Sequence, residues 1–102
     1  MKHTTKETWE QDVLNGGLVL VDFWAGWCQP CLNMMPVLEK LEEQVARLTV
    51  AKVNGDEQEE LMHEFNVQGL PTLILFKDGE QVWTLLGAKP FAMLVEKISP
   101  YL

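Results

Sequence analysis

Apolar positions along the chain follow two rhythms. "LVLVDFW", Leu18–Trp24, is a nearly continuous apolar run of strand length, the pattern of a strand buried on both faces. Beyond it Leu32, Met35, Leu38, Leu41, Val45 and Leu48 recur every three or four residues. That spacing predicts the buried stripe of a long amphipathic helix, with Glu39, Glu42 and Glu43 outside it. Pro36 falls within the stripe and is expected to kink it. "LTVAKVN", Leu48–Asn54, reads as a second buried strand. Strand, helix and strand with short connections form a right-handed βαβ unit.

The flanks can be read in the same way. Thr4 and Glu7 fit a capping box ahead of a helix carrying Trp9, Val13 and Leu14, and Asn15-Gly16-Gly17 stops it. Asp56 with Glu59 is expected to cap a short helix bearing Leu61, Met62 and Phe65. "PTLILFKDGEQVWTLL" predicts a hairpin turning at Asp78-Gly79. Pro90 opens a last helix with Phe91, Leu94, Val95 and Ile98 inward, and Pro100 ends it. No repeat or linker interrupts the chain, so a single α/β domain over residues 1–102 is expected.

Composition narrows the function classes. Lys and Arg total 8 against 15 Asp and Glu, a formal net charge of −7. An acidic surface gains nothing from a phosphate backbone, which argues against nucleic-acid binding. The longest apolar run is too short to span a bilayer. The opening "MKHTTKETWEQDV" has no apolar h-region and no cleavage site, which sets the expectation of a cytoplasmic protein. The chain has 2 cysteines. These are too few for a secreted disulfide scaffold, and a close pair in a reducing compartment is catalytic or metal-binding.

The pair lies in "WAGWCQPCL", where a buried strand ends and the long helix begins. A helix N-terminus carries unpaired backbone N–H groups and a partial positive charge, which favour thiolate over thiol. Pro30 suits the first helical turn and stiffens the loop between the sulfurs. Cys28, at the open end, is expected to be the more exposed nucleophile, attacking a partner disulfide. Cys31, one turn deeper, then attacks Cys28 and releases the reduced partner. Zinc normally takes four ligands, and His3 and His63 lack ligand spacing to the pair. A metal site shared across a dimer is one competing reading, and a binding module with incidental redox chemistry is another.

Asp22 is the second anomaly, a carboxylate inside an apolar strand. Burial raises its pKa towards the range of a proton shuttle for Cys31. The alternatives are that it reaches solvent or is simply paired, with Lys52 of the neighbouring strand as the candidate partner. Trp24 suits packing, whereas Trp27, next to the first cysteine, suits an aromatic wall for a partner surface. Pro71 stands where a strand should start, which is unremarkable in itself.

With "DFWAGWCQPC", "AKVNGD", "GLPTLILFKDGE" and "LLGA" in this order, the chain resembles the thioredoxin family from about Val19 to its end. The resemblance implies a thioredoxin fold, a central mixed β-sheet flanked by α-helices. It implies general reduction of protein disulfides by an electron carrier regenerated by thioredoxin reductase. NADPH would enter only through that reductase, and the redox group would be the dithiol itself. Carried onto this chain, Cys28 attacks, Cys31 resolves, Asp22 is the buried carboxylate with Lys52 near it, and Pro71 is a cis-proline facing the dithiol. Trp27, Leu70, Gly87 and Ala88 would form an apolar docking patch for disulfide-containing clients. A monomer is expected, with neither nucleic acid nor membrane as partner. Two residues depart from the family pattern. Gln29 stands where Gly is usual, and Leu32 where Lys or Arg is frequent. Both departures bear on the redox potential and the fit to the reductase, and Gln29 and Pro30, between the cysteines, are the expected redox-tuning residues.

Overall fold

The computed structural model describes residues 1–102. One sheet has the strand order β1-β3-β2-β4-β5. Strands β1 (Lys2–His3), β2 (Leu18–Trp24) and β3 (Leu48–Asn54) run parallel. Strands β4 (Thr72–Lys77) and β5 (Glu80–Leu86) form an antiparallel hairpin, and β4 pairs with β2. The hairpin turns at Asp78 and Gly79, both at positive φ (50° and 85°), as a two-residue turn matched to strand twist requires. Helix α1 (Gln29–Gln44) connects β2 to β3, α2 (Glu59–Glu64) follows β3, and α3 (Phe91–Ile98) follows the hairpin.

Strand parity sorts the core into two layers. Val19, Val21 and Phe23 of β2 join Ala51, Val53, Ile74 and Phe76 beneath Trp9, Val13 and Leu61. Leu18 and Leu20 join Leu48, Val50, Leu73 and Leu75 beneath Met34, Leu38 and Leu41 of α1 and Leu94 and Ile98 of α3. Side chains alternate along a strand, so Asp22 and Trp24 continue the row of Leu18 and Leu20, on the α1 side. Each fully buried leucine or isoleucine contributes about 1.5–3 kcal/mol of transfer free energy. Two layers of them hold the β2 end, and whatever follows it, in a fixed place.

Several expectations shift. The stripe of α1 is Cys31, Met34, Leu38 and Leu41, whose steps of three, four and three follow 3.6 residues per turn more closely than the expected set. Leu32 is consequently exposed and Met35 is half-buried, while Leu48 opens β3, as the strand reading of Leu48–Asn54 expects. Glu42 is not an outer-face residue, because its Oε2 accepts the Val50 N–H at 2.7 Å and ties α1 to β3. Helix α1 continues past Pro36, the position at which a kink is expected.

The N-terminus differs more. Lys2 and His3 add a short edge strand beside β3. Thr4 does not cap: its N–H bonds the Lys52 carbonyl at 2.8 Å and its hydroxyl donates to Asp12 at 2.9 Å. The reciprocal pair lies one residue later. Thr5 N–H bonds Thr8 Oγ1 at 2.9 Å, and Thr8 N–H bonds Thr5 Oγ1 at 3.3 Å. The helix widens into a π-turn over Glu10–Leu14, where Asn15 N–H reaches the Glu10 carbonyl. Asp56 does not cap α2, whose N-cap is Gln58. No helix is long and apolar enough to cross a membrane.

Candidate active site

Strand β2 ends at Trp24, and the chain turns through Ala25–Trp27 into α1. Cys28 is the N-cap residue of that helix, in extended backbone geometry (φ −93°, ψ 102°). Its Sγ accepts the Cys31 N–H at 3.3 Å. One of the donors that a helix start leaves unpaired is therefore aimed at the sulfur of Cys28. Pro30 occupies the first turn, where it lacks only an N–H that would have no partner. Cys28 and Cys31 form a disulfide, with Cα atoms 5.3 Å apart.

The order of exposure is as expected, but the margin is small. Cys28 keeps 5% of its surface and Cys31 none. Ala25 is buried with the pair, and Trp24 and Leu70 pack on it. Four hollows mark the surface, and neither cysteine lines any of them.

The Leu70–Pro71 peptide is cis. Thr72 Oγ1 donates to the Gly69 carbonyl at 2.6 Å and braces the turn. The Pro71 carbonyl accepts the Gly87 N–H at 2.8 Å. Gly87 makes that bond at φ 91°, a backbone state that suits glycine. Leu70 and Gly87 are half-buried, Pro71 is buried and Ala88 is exposed. Trp27 is 72% exposed, and its indole N–H donates to Asp56. Gln29 and Pro30 are exposed, and Gln29 Nε2 donates to Asn33 Oδ1 at 2.8 Å along α1.

Asp22 is wholly buried, and neither carboxylate oxygen has a hydrogen-bond partner. Burial pushes its pKa up to about 7, against the opposing pull of Lys52. Lys52 stands directly opposite Asp22 in the parallel register. The two nevertheless form no ion pair; the Lys52 ammonium sits 4.4 Å over the Trp24 ring. The alternatives of a solvent-reaching or simply paired Asp22 do not match this arrangement. No group of three or more His, Cys, Asp or Glu side chains is gathered in a way that could hold a metal ion.

The thioredoxin family model matches residues 1–100. The thioredoxin of Listeria monocytogenes is 43% identical over 102 residues, covering 99% of this chain and 98% of that protein. The chain belongs to the thioredoxin family. The thioredoxin of Pyropia yezoensis is 38% identical over 104 residues, covering 100% of this chain and 97% of that one. Among solved structures, a mutant thioredoxin from Halobacterium salinarum NRC-1 superposes with a TM-score of 0.91 at 40% identity, covering 98% of this chain and 88% of that chain. A thioredoxin-family chain with its two cysteines at disulfide distance is a thiol–disulfide oxidoreductase, and its redox group is its own dithiol.

Two contributors escaped the sequence reading. Asp56 is the hydrogen-bond partner of Trp27, and Trp24 carries the Lys52 ammonium as well as packing. Parallel register was the available signal for both. Trp24 opposite Asn54 brings the segment after β3 alongside Trp27, and Asp22 opposite Lys52 puts that lysine on the same face as Trp24.

Proposed function

We propose that the chain reduces protein disulfides, with Cys28 attacking and Cys31 resolving. The single observation that carries this assignment is the Cys31 N–H directed at Cys28 Sγ at the start of α1. In the reduced protein that donor and the helix dipole stabilise a Cys28 thiolate. The thiolate attacks one sulfur of a client disulfide, and the client's other sulfur leaves as a thiolate. Cys31, losing its proton, attacks Cys28 Sγ, and the second client sulfur leaves. Two electrons have then moved to the client, and the Cys28–Cys31 disulfide remains. A thioredoxin reductase drawing on NADPH returns those electrons.

Asp22 accepts the Cys31 proton during resolution, because its carboxyl is poised close to the working pH. Lys52 modulates Asp22 by its charge. The backbone around Leu70, next to Pro71, pairs with an extended client segment as an added strand. Trp27, Leu70, Gly87 and Ala88 form the docking surface, and Gln29 and Pro30 tune the potential from within the disulfide ring. The protein works as a monomeric, single-domain electron carrier of the cytoplasm.

Insulin-disulfide reduction driven by NADPH and thioredoxin reductase tests the whole sequence of steps. The Cys28→Ser variant is expected to be inactive, and Cys31→Ser to accumulate mixed disulfides with clients. Full activity in Cys28→Ser would overturn the assignment.

A further inference from the structure

Trp24, Asp22 and Lys52 share one face of the sheet. Asp22 and Trp24 lie two residues apart on β2, and Lys52 is the register partner of Asp22 on β3. An ammonium opposite a buried carboxylate is ordinarily drawn into an ion pair with it. Here the Lys52 ammonium rests 4.4 Å from the centroid of the Trp24 ring, and both Asp22 oxygens are without a hydrogen-bond partner. An indole is the strongest cation-binding aromatic face among the side chains, so the ring competes for the lysine head group.

We propose that Trp24 is a positioning residue whose ring holds the Lys52 ammonium off Asp22, so that the buried carboxyl can keep and release a proton. A fixed ion pair would lock Asp22 in its ionised form and remove it from proton transfer. Trp24 sets the strength of the one nearby cation by setting its position. The functional meaning rests on the reading of Asp22 as a proton carrier, whereas the placement of Lys52 stands apart from it.

The surroundings contain few other charges. The row beside Asp22 is Lys52 from β3 and Leu73 from β4. Helix α1 lays Cys31, Met34 and Leu38 over this side of the sheet, and α3 adds Leu94 and Ile98. Besides Lys52, only the cysteine pair among these is titratable, and it does not titrate while oxidised.

The test is a carbon-13 NMR titration of the Asp22 carboxyl in the oxidised protein. It compares the parent chain, Trp24→Leu, Lys52→Met and the double variant. Trp24→Leu is expected to lower the Asp22 midpoint by about 1 pH unit or more as the freed ammonium approaches. Lys52→Met is expected to raise it. In the Lys52→Met background Trp24→Leu should move it by less than about a third of that shift. An unchanged midpoint in Trp24→Leu would overturn the proposal. So would an equal shift with and without Lys52, which would mean that the ring only keeps water out. Should Trp24→Leu fail to fold, Trp24→Phe, with a weaker cation-binding face, is expected to give a smaller downward shift that needs Lys52, and no shift there would overturn the proposal. Failure of the proton-carrier reading shows separately, as an Asp22→Asn variant that keeps the parent pH profile of client reduction.

Discussion

Trp27 donates its indole N–H to both carboxylate oxygens of Asp56, at 3.0 and 3.3 Å. The bond joins the loop before Cys28 to the segment after β3. With 72% of Trp27 exposed, packing alone leaves its ring loosely held. A charge-assisted bond at an exposed site is worth about 1 kcal/mol, or about fivefold in an equilibrium. Asp56→Ala is therefore expected to raise KM for a protein disulfide about fivefold with kcat nearly unchanged. Reduction of a small aromatic disulfide reagent should proceed at the parent rate. Steady-state kinetics on both substrates checks this, and an unchanged protein KM would remove Trp27 anchoring from the docking surface.

Asp22 gives stability a pH dependence with a definite sign. Its folded pKa is raised from 3.8 to about 7. Between those values the folded chain binds a proton that the unfolded chain has lost. Stability is therefore greatest below about pH 4 as far as this group is concerned, falls as pH rises towards 7, and levels off above it. At about 1.36 kcal/mol per pH unit the loss is on the order of 4 kcal/mol. Asp22→Asn should abolish that slope and make the oxidised protein more stable than the parent at pH 8. Guanidinium unfolding at pH 5 and pH 8 measures the difference, and parallel shifts in the two proteins would assign the slope to other groups.

Gly16 marks a place where the N-terminal helix passes very close to β2. A Cβ there would meet the Asp12 carbonyl oxygen and lie 2.7 Å from Val19 Cγ2. Asp12 and Val19 are both buried, so neither neighbour moves freely. Overpacking of this kind costs about 1–3 kcal/mol. Gly16→Ala is expected to lose about that much stability while retaining client reduction, since the site lies at the far end of β2. Gly26→Ala, with nothing within 4 Å of its new methyl, is the control and should stay within about 0.5 kcal/mol of the parent. Thermal or denaturant unfolding of the two variants decides it.

The strands β2 and β3, the hairpin at Asp78-Gly79 and the last helix were legible in the sequence, because an unbroken apolar run or a two-residue turn leaves few options. The dithiol was legible too, since two cysteines separated by two residues at a strand–helix junction favour redox chemistry over a metal site. The N-terminal strand was not: Lys2 and His3 carry no apolar signal and pair only because β3 offers a free edge. The α1 stripe was legible at Leu38 and Leu41 but not in its first turns, where Leu32 and Met35 are as apolar as the buried Met34 and the register is set by Cys31. The role of Trp24 was hidden for another reason. A tryptophan at a strand end looks like packing, and only the pairing of β2 with β3 shows a lysine within reach of its ring.

Leu32 sits on the first turn of α1, 38% exposed. Its N–H bonds the Cys28 carbonyl at 3.1 Å, so its Cα is fixed close to the dithiol ring. A cation there would add to the field of the helix end and stabilise the thiolate of the reduced protein further. Leu32→Lys is expected to lower the Cys28 pKa by about 0.5–1 unit, since an exposed charge is strongly screened. A lower pKa raises the thiolate fraction at neutral pH but weakens each thiolate as a nucleophile. The gain in attack rate should therefore be modest, and should shrink as the pH approaches 8. Absorbance of the thiolate near 240 nm, followed against pH at low and high salt, reads the shift directly. A midpoint that does not fall, or a fall that salt does not diminish, would show that Leu32 acts through packing and not through the absence of a charge.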